Sequence, residues 1–344
     1  MNIAIDITPL QTDHKDRGVG MYTKLLIEAL QKYESNHSYS FFTRGQKISN
    51  DIELIHYPYF DPFFITLPFF YHKPTVITVH DLIPLVFMEH FPAGIRGALK
   101  WHFQRMRLTR VSRIITDSES SKRDIKSIAG FPEARIDVVP LAASPKFGRV
   151  NDEAELARVK KQYHLPESFV LYVGDVNWNK NILGLLEAFR KVKRPLVLVG
   201  KAFLDESLPE VQRINAFIDN NKLSNDVVKL GAVPVEDLVA IYNCASVYVQ
   251  PSFYEGFGLP VLEAMACGVP VVTSRASSLA EIAGPAIIVD PSDSKDIARG
   301  LLEAIMITPA KRKALIAAQT QWVQQFSWER VARETILSYE KAAV

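Results

Sequence analysis

Residues 248–274 read Tyr-Val-Gln-Pro-Ser-Phe-Tyr-Glu-Gly-Phe-Gly-Leu-Pro-Val-Leu-Glu-Ala-Met-Ala-Cys-Gly-Val-Pro-Val-Val-Thr-Ser. The apolar run over 246–250 predicts a short strand that breaks at Pro251 and Ser252. A loop with Glu255, Gly256, Phe257 and Gly258 follows. A helix then begins near Leu259, with Pro260 in its first turn, where a missing N–H costs nothing. Cys267-Gly268 closes the helix, and 269–273 reads as the next buried strand. A strand, a glycine-containing loop and a helix N-terminus in succession make an anion site, because backbone N–H groups and the helix dipole converge there. A phosphate fits such a point.

Two carboxylates flank it. Glu255 precedes the helix and Glu263 lies on its first turns. Carboxylates repel a phosphate, so their use is to accept hydrogen bonds from hydroxyl groups on either side of it. Sugars supply such hydroxyls, and a nucleoside diphosphate sugar carries a ribose on one side of its diphosphate and a hexose on the other. An isolated pair at this spacing would be read more simply, with Glu263 near the helix dipole and Glu255 solvated. The whole string is what favours the functional reading.

That string resembles the signature of the retaining, nucleotide-sugar-dependent glycosyltransferases of family 4 (glycosyl transferases group 1). Their pattern, Pro-Ser-x-x-Glu-Gly-Phe-Gly-Leu-Pro-x-x-Glu-Ala-Met-Ala-x-Gly-x-Pro-Val-Val, is present at every position over 251–272. The resemblance implies that Glu255 faces the donor sugar, that the amides of Gly256, Phe257, Gly258 and Leu259 approach the distal phosphate, and that Glu263 holds the ribose hydroxyls. It further implies an α/β chain of the GT-B class, two Rossmann-like doubly wound parallel-sheet domains facing across a cleft.

The rest of the chain is consistent with that scheme. At 344 residues it is too long for one ordinary core. Alternating apolar strands and helical patterns argue for parallel sheets with helices on their faces. The expected domains are 1–150, which would hold the acceptor, and 151–326, which would hold the donor. By resemblance, a last helix over 327–344 returns to the first domain. With 48% hydrophobic and 23% charged residues the chain reads as soluble and globular, and its net charge of +2 points to no partner. Cys244 and Cys267 lie in apolar contexts and read as packed thiols of a reducing compartment. The first residues lack the charged and apolar regions of a signal peptide, and no apolar run approaches the roughly 20 residues of a membrane span. A cytoplasmic protein is expected, with the inner face of the cell membrane as a place of work.

Near the N-terminus, Arg17-Gly18-Val19-Gly20 places two glycines just before a helix expected over 21–32. Thr23 stands where a dinucleotide fingerprint needs a third glycine, so this is weak evidence for a nicotinamide site. The loop instead resembles the glycine-rich loop of the same family, where Gly18 and Gly20 would approach the donor phosphate. His80-Asp81 follows an apolar strand, at the end where ligands bind in such sheets. A lone histidine is more often structural, but this step also matches the family. His80 is therefore expected to hydrogen-bond the donor sugar, and Asp81 to orient its loop.

In the second half, Lys180 stands just before a helix, placed to neutralise a departing diphosphate. Family members commonly carry an Arg-Lys pair at this step and a further Arg after the preceding glycine; here Asn179 and Asp175 stand at those places. There is no Asp-x-Asp motif for a phosphate-bound metal, so no metal and no cofactor are expected, only a nucleotide-sugar co-substrate. The Gly-Val-Gly-Met-Tyr-Thr opening is similar to that of bacterial surface-polysaccharide mannosyl- and rhamnosyltransferases, which makes GDP-mannose the first expectation, with UDP- and dTDP-sugars as alternatives. The acceptor would be a glycan or a lipid-linked sugar. The segment 94–110 is basic and interleaved with Trp101, Phe103, Met106 and Leu108; it reads either as a helix lying on an anionic membrane or as a core helix with a solvated basic face. Nothing is organised for nucleic acid. A sugar-nucleotide epimerase on the same fold and a non-catalytic scaffold of polysaccharide assembly remain as alternatives.

Overall fold

The computed structural model describes residues 1–12, 15 and 18–344. Arg17 of the glycine loop lies outside the described residues. The chain divides into two units, Met1–Ala142 with Phe326–Val344, and Ala143–Gln325.

Among the described residues, each unit contains one six-stranded parallel sheet. In the first, β1 (Asn2–Asp6), β2 (Ser38–Phe42), β3 (Leu54–Tyr57), β4 (Thr75–Thr78), β5 (Arg113–Thr116) and β6 (Ile136–Val138) lie in the order β2-β1-β3-β4-β5-β6. The inner strands β3 and β4 are buried throughout, as expected of a parallel sheet covered on both faces. Edge strand β2, Ser-Tyr-Ser-Phe-Phe, buries only its last residue. The core of this unit gathers Ile55, Ile77, Val79, Leu108, Ile114 and Phe131.

In the second unit, β7 (Val170–Val173), β8 (Leu196–Val199), β9 (Val227–Leu230), β10 (Val247–Gln250), β11 (Val271–Ser274) and β12 (Ile287–Val289) lie in the order β12-β11-β10-β7-β8-β9. From β7 the chain adds β8 and β9 on one side, then returns to add β10, β11 and β12 on the other. The loops after β7 and β10 therefore leave the sheet at its switch point, where a crevice forms beyond the carboxyl ends of the strands.

Two boundaries differ from the sequence reading. The division falls after Ala142 and not at 150, because the intervening segment is bonded into the second unit. Val150 donates its N–H to Asn243 Oδ1, Asn243 Nδ2 donates to the Gly148 carbonyl, and Lys146 pairs with Glu236. The first long helix runs Gly18–Tyr33, so Gly18 and Gly20 form its first turn and do not precede it. The first amides of a helix need no intrahelical partner, which makes glycine tolerable there.

The helix Trp328–Ala343 belongs to the first unit, where it packs against Gly18–Tyr33 and against β3, β4 and β5. Trp328, Val331, Ala332, Ile336 and Tyr339 are its buried stripe, and Ser327 caps its start by accepting from the Arg330 N–H. Polar contacts add to this. Asp137 takes Arg113, Ser338 and Lys341 at 2.6, 2.8 and 3.0 Å, tying the helix to β5 and β6.

Candidate active site

The site in the second unit is built on the loop after β10. Gly258 has φ +107, a conformation that L side chains rarely adopt, and a Cβ there would fall 2.5 Å from Leu279 Cδ2. That turn starts the helix Leu259–Ala266, with Pro260 at its beginning. Ser278 Oγ donates to the carbonyls of Glu255 and Phe257, while Ser277 Oγ accepts from the Glu255 N–H at 2.8 Å. Phe257 is buried beneath. The loop is thus pinned along its backbone, and the Glu255 side chain is aimed by what surrounds it.

Glu255 is 5% exposed. Its Oε1 accepts from Gln250 Nε2 at 2.8 Å and from Ser252 Oγ at 2.7 Å, and its Oε2 accepts from Lys180 Nζ at 2.6 Å. Lys180 comes from the short turn Trp178–Lys180 after β7, on the other side of the switch point. A charge-assisted hydrogen bond of this length, with one partner buried and the other 20% exposed, holds both charges close to the start of the helix.

Asn179, which replaces the arginine common in the family, has a structural task. Its Nδ2 donates to the Tyr254 carbonyl and its own carbonyl accepts from the Phe253 N–H. Trp178 stacks on Phe253 at 5.0 Å, and Asn181, left-handed at φ 57, donates to the Pro251 and Pro291 carbonyls. The two switch-point loops are therefore clamped together by amides and aromatic rings. Asp175 is exposed and accepts from the Val176 N–H.

Glu263 lies on the following helix, and its Oε2 accepts from Tyr242 Oη at 3.1 Å. Burial pushes its carboxyl up to about 7, only partly opposed by that hydrogen bond. Burial raises Tyr242 well above the ordinary phenol range, with the Glu263 charge adding to it.

In the first unit, His80 follows β4 and Asp117 follows β5. His80 Nδ1 lies 2.7 Å from Asp117 Oδ2. Burial pulls the imidazole down, but the Asp117 charge and hydrogen bond outweigh it, leaving His80 above its ordinary value. Burial raises Asp117 in turn, against the opposing pull of His80. His80 Nε2 is buried, and the Pro58 carbonyl also favours the protonated ring. Tyr22 packs edge-on to the ring at 4.6 Å and comes from the same helix as Gly18 and Gly20. Asp81 accepts from the Ile83 N–H and turns the loop away.

The structure thus brings Glu255 and Lys180 into contact, sets Glu263 on the helix that Gly256, Phe257, Gly258 and Leu259 open, and collects His80 with the glycine helix in the other unit. Sequence reasoning missed Asp117, and it read Asn179 only as a replaced arginine. For Asp117 a signal existed: it is the first polar residue beyond the apolar strand 113–116, the same placement that marked His80.

Two doubly wound parallel sheets, with charged loops at the switch point of one, define the GT-B class of glycosyltransferase fold. Residues 27–146 match the model described as Glycosyltransferase Family 4, and 154–322 that of Glycosyl transferases group 1. The chain is 33% identical over 275 residues to the O-antigen chain mannosyltransferase B of Escherichia coli, covering 77% of this chain and 70% of that one. It is 30% identical over 273 residues to the serotype-specific mannosyltransferase WbdA of E. coli, spanning only 33% of that longer protein. Among solved structures, Anabaena HepE in complex with UDP and glucose superposes with a TM-score of 0.75 at 18% identity, over 99% of both chains. The sucrose-phosphate synthase of Thermosynechococcus elongatus gives 0.76 at 22%, over 99% of this chain and 98% of that one. The chain belongs to the glycosyl transferases group 1 family and is a glycosyltransferase, as the string over 251–272 implied.

Proposed function

We propose that the protein transfers a hexose, with mannose from GDP-mannose as the first candidate, to a hydroxyl of a glycan or lipid-linked acceptor in surface-polysaccharide synthesis, with retention at the anomeric carbon. The observation that carries this reading is the Lys180–Glu255 pair at 2.6 Å, beside a helix N-terminus and at the switch point of a parallel sheet. The names of the mannosyltransferase relatives support the choice of sugar.

In this reading the bond from the anomeric carbon to the phosphate oxygen breaks, and a bond to the acceptor oxygen forms on the same face. The acceptor proton passes to the departing phosphate, and the products are the glycoside and a nucleoside diphosphate. Lys180 and the helix start meet the charge that develops on the diphosphate, without a metal ion in that role. Glu255 orients the sugar and steadies positive charge at its ring. Glu263 accepts from the ribose hydroxyls, and His80 is assigned a hydrogen bond to the donor sugar.

The test is a donor panel. Thermal shifts with GDP, UDP, dTDP and ADP rank the bases, since a ligand at 100 times its Kd adds about 2.7 kcal/mol of apparent stability. Turnover of the matching sugar nucleotide with acceptor, read by NMR at the new anomeric centre in the presence of a chelator, then checks transfer, retention and metal independence together. Selective binding of UDP or dTDP would overturn the donor. Epimerised sugar nucleotide without acceptor use, or no turnover at all, would move the epimerase or scaffold reading forward.

A further inference from the structure

The helix Gly94–Leu108 turns much of its apolar surface outward. Its buried positions are Gly97, Gln104, Arg107 and Leu108, whereas Ile95, Leu99, Phe103 and Met106 are 83%, 57%, 47% and 44% exposed. A surface helix ordinarily turns its apolar stripe to the core. Here Trp101 and Leu108 reach the core, and the rest of the inward face is polar because it holds a loop. Gln104 Nε2 donates to the carbonyls of Asp61 and Phe64 and to Thr66 Oγ1, and Arg107 Nη1 donates to the Leu67 carbonyl.

The loop so fastened is also apolar on its outside. Phe64, Phe69 and Phe70 are 64%, 67% and 71% exposed. Two are held by cations of the helix, Lys100 over Phe64 at 5.1 Å and Arg107 over Phe69 at 3.7 Å. Buried hydrogen bonds therefore order a platform whose aromatic and aliphatic side chains face water. An ordered apolar surface of this kind marks a binding face.

The charge around it selects the partner. Arg96, Lys100, Arg105 and Arg110 are exposed along the same helix and its end, and neither 62–80 nor 90–116 contains a single Asp or Glu. Where helix end and loop meet, a cavity of about 270 Å³ is lined by Phe69, Phe70, Tyr71, His72 and Arg110, and Tyr71 Oη is buried without a partner among the described residues. Apolar groups that can enter an acyl layer, rimmed by cations that can meet phosphates, are the two components of an interfacial anchor.

We infer that this face of the first unit docks on an anionic lipid bilayer, with Ile95, Leu99, Phe69 and Phe70 entering the interface and the basic residues meeting headgroup phosphates. The sequence alone left 94–110 open between a membrane helix and a core helix; Leu108 and Trp101 pack on the core, and the outward apolar side chains support the membrane reading for the rest of the helix. The inference is independent of donor and acceptor, because docking needs neither.

The test is co-sedimentation of the full chain with vesicles of phosphatidylglycerol and phosphatidylcholine, against vesicles of phosphatidylcholine alone, with no sugar nucleotide present. The wild type is expected to bind the anionic vesicles, to prefer them at least about tenfold, and to lose that preference in high salt. Each basic residue near the surface is worth about fivefold in partitioning, so Arg96→Glu with Lys100→Glu should weaken binding by at least about twentyfold. Ile95→Ser with Leu99→Ser should weaken it comparably without lowering Tm, since neither side chain is buried. Equal binding to both vesicle types, or none to either by a folded protein, would overturn the inference. So would a dimer on gel filtration that the Ile95→Ser, Leu99→Ser variant dissolves, because the face would then belong to a second copy.

Discussion

Tyr339 Oη lies 2.6 Å from His56 Nδ1, joining the last helix of the chain to the interior of the first sheet. The contact continues inward. His56 Nε2 meets Thr78 Oγ1 at 2.9 Å, Thr78 meets Tyr22 Oη at 3.0 Å, and Tyr22 packs edge-on against His80. The C-terminal helix thus reaches the proposed sugar-binding histidine through a buried polar chain. Tyr339→Phe leaves His56 Nδ1 buried and unpaired, which should cost about 1–3 kcal/mol. Urea unfolding of the variant should show a lower midpoint at unchanged slope. A loss below about 0.5 kcal/mol would mean that the hydrogen bond carries little of the packing.

His56 also sets an acid limit on stability. Burial, with the charge of His80 adding to it, pushes its imidazole down from 6.5 to about 3. The unfolded chain therefore takes up the proton first: the stabilising contribution is whole above pH 6.5 and is lost progressively as pH falls towards 3. The full span is on the order of 5 kcal/mol. Replacing the ring by a group that does not titrate, His56→Gln, should lower stability at pH 7 yet flatten its fall between about pH 6.5 and 3. Parallel curves for the two proteins would exclude His56 as the source.

Neither His56 nor its partners stood out in the sequence, and the reason is physical. A histidine inside Leu-Ile-His-Tyr keeps the apolar period of a buried strand, and its hydrogen bonds come from residues 22 and 283 positions away along the chain. Local signals fared better. The fold followed from apolar runs and turn residues, as in the strand, loop and helix read over 246–268. The glycines, prolines and carboxylates of 251–272 are contiguous because one strand-loop-helix unit carries them. Asn179 read as a lost arginine because its task, donating to Tyr254, depends on a loop 75 residues further on. The helix Pro209–Asn220 shows the same local legibility, with Val211, Ile214 and Ile218 at helical spacing behind a leading proline.

Glu263 should show the opposite pH dependence. Its carboxyl is raised from 4.5 to about 7, so its contribution is present in the protonated form below pH 4.5 and lost as pH rises through 7. Glu263→Gln should therefore gain stability relative to wild type as pH rises between those limits, reaching about 3 kcal/mol at pH 8. Nucleotide affinity should move the other way. If ionised Glu263 accepts the ribose hydroxyls, wild type should bind nucleotide more tightly at pH 8 than at pH 6, and the variant should show a flatter profile with weaker binding throughout. Calorimetric titration at both values decides it; identical profiles would remove Glu263 from the nucleotide site.

The Lys180–Glu255 pair separates stability from chemistry. Lys180→Met leaves the buried Glu255 carboxylate without its cation, which should cost about 2–4 kcal/mol. Adding Glu255→Gln removes the stranded charge while Gln250 and Ser252 still flank the amide, so the double variant should recover most of the lost stability. Turnover should not recover. Loss of the cation at a developing diphosphate charge costs about 100- to 1000-fold in kcat, and the amide cannot steady positive charge at the sugar ring. Glu255→Gln alone should keep nucleotide affinity within about threefold while lowering kcat, since the glutamate is assigned to the sugar and not the nucleotide. The four proteins of this cycle, compared by denaturant midpoint and by initial rate, give two patterns that a purely structural ion pair could not produce together. Should turnover return with stability in the double variant, the pair is only a clamp between the loops after β7 and β10.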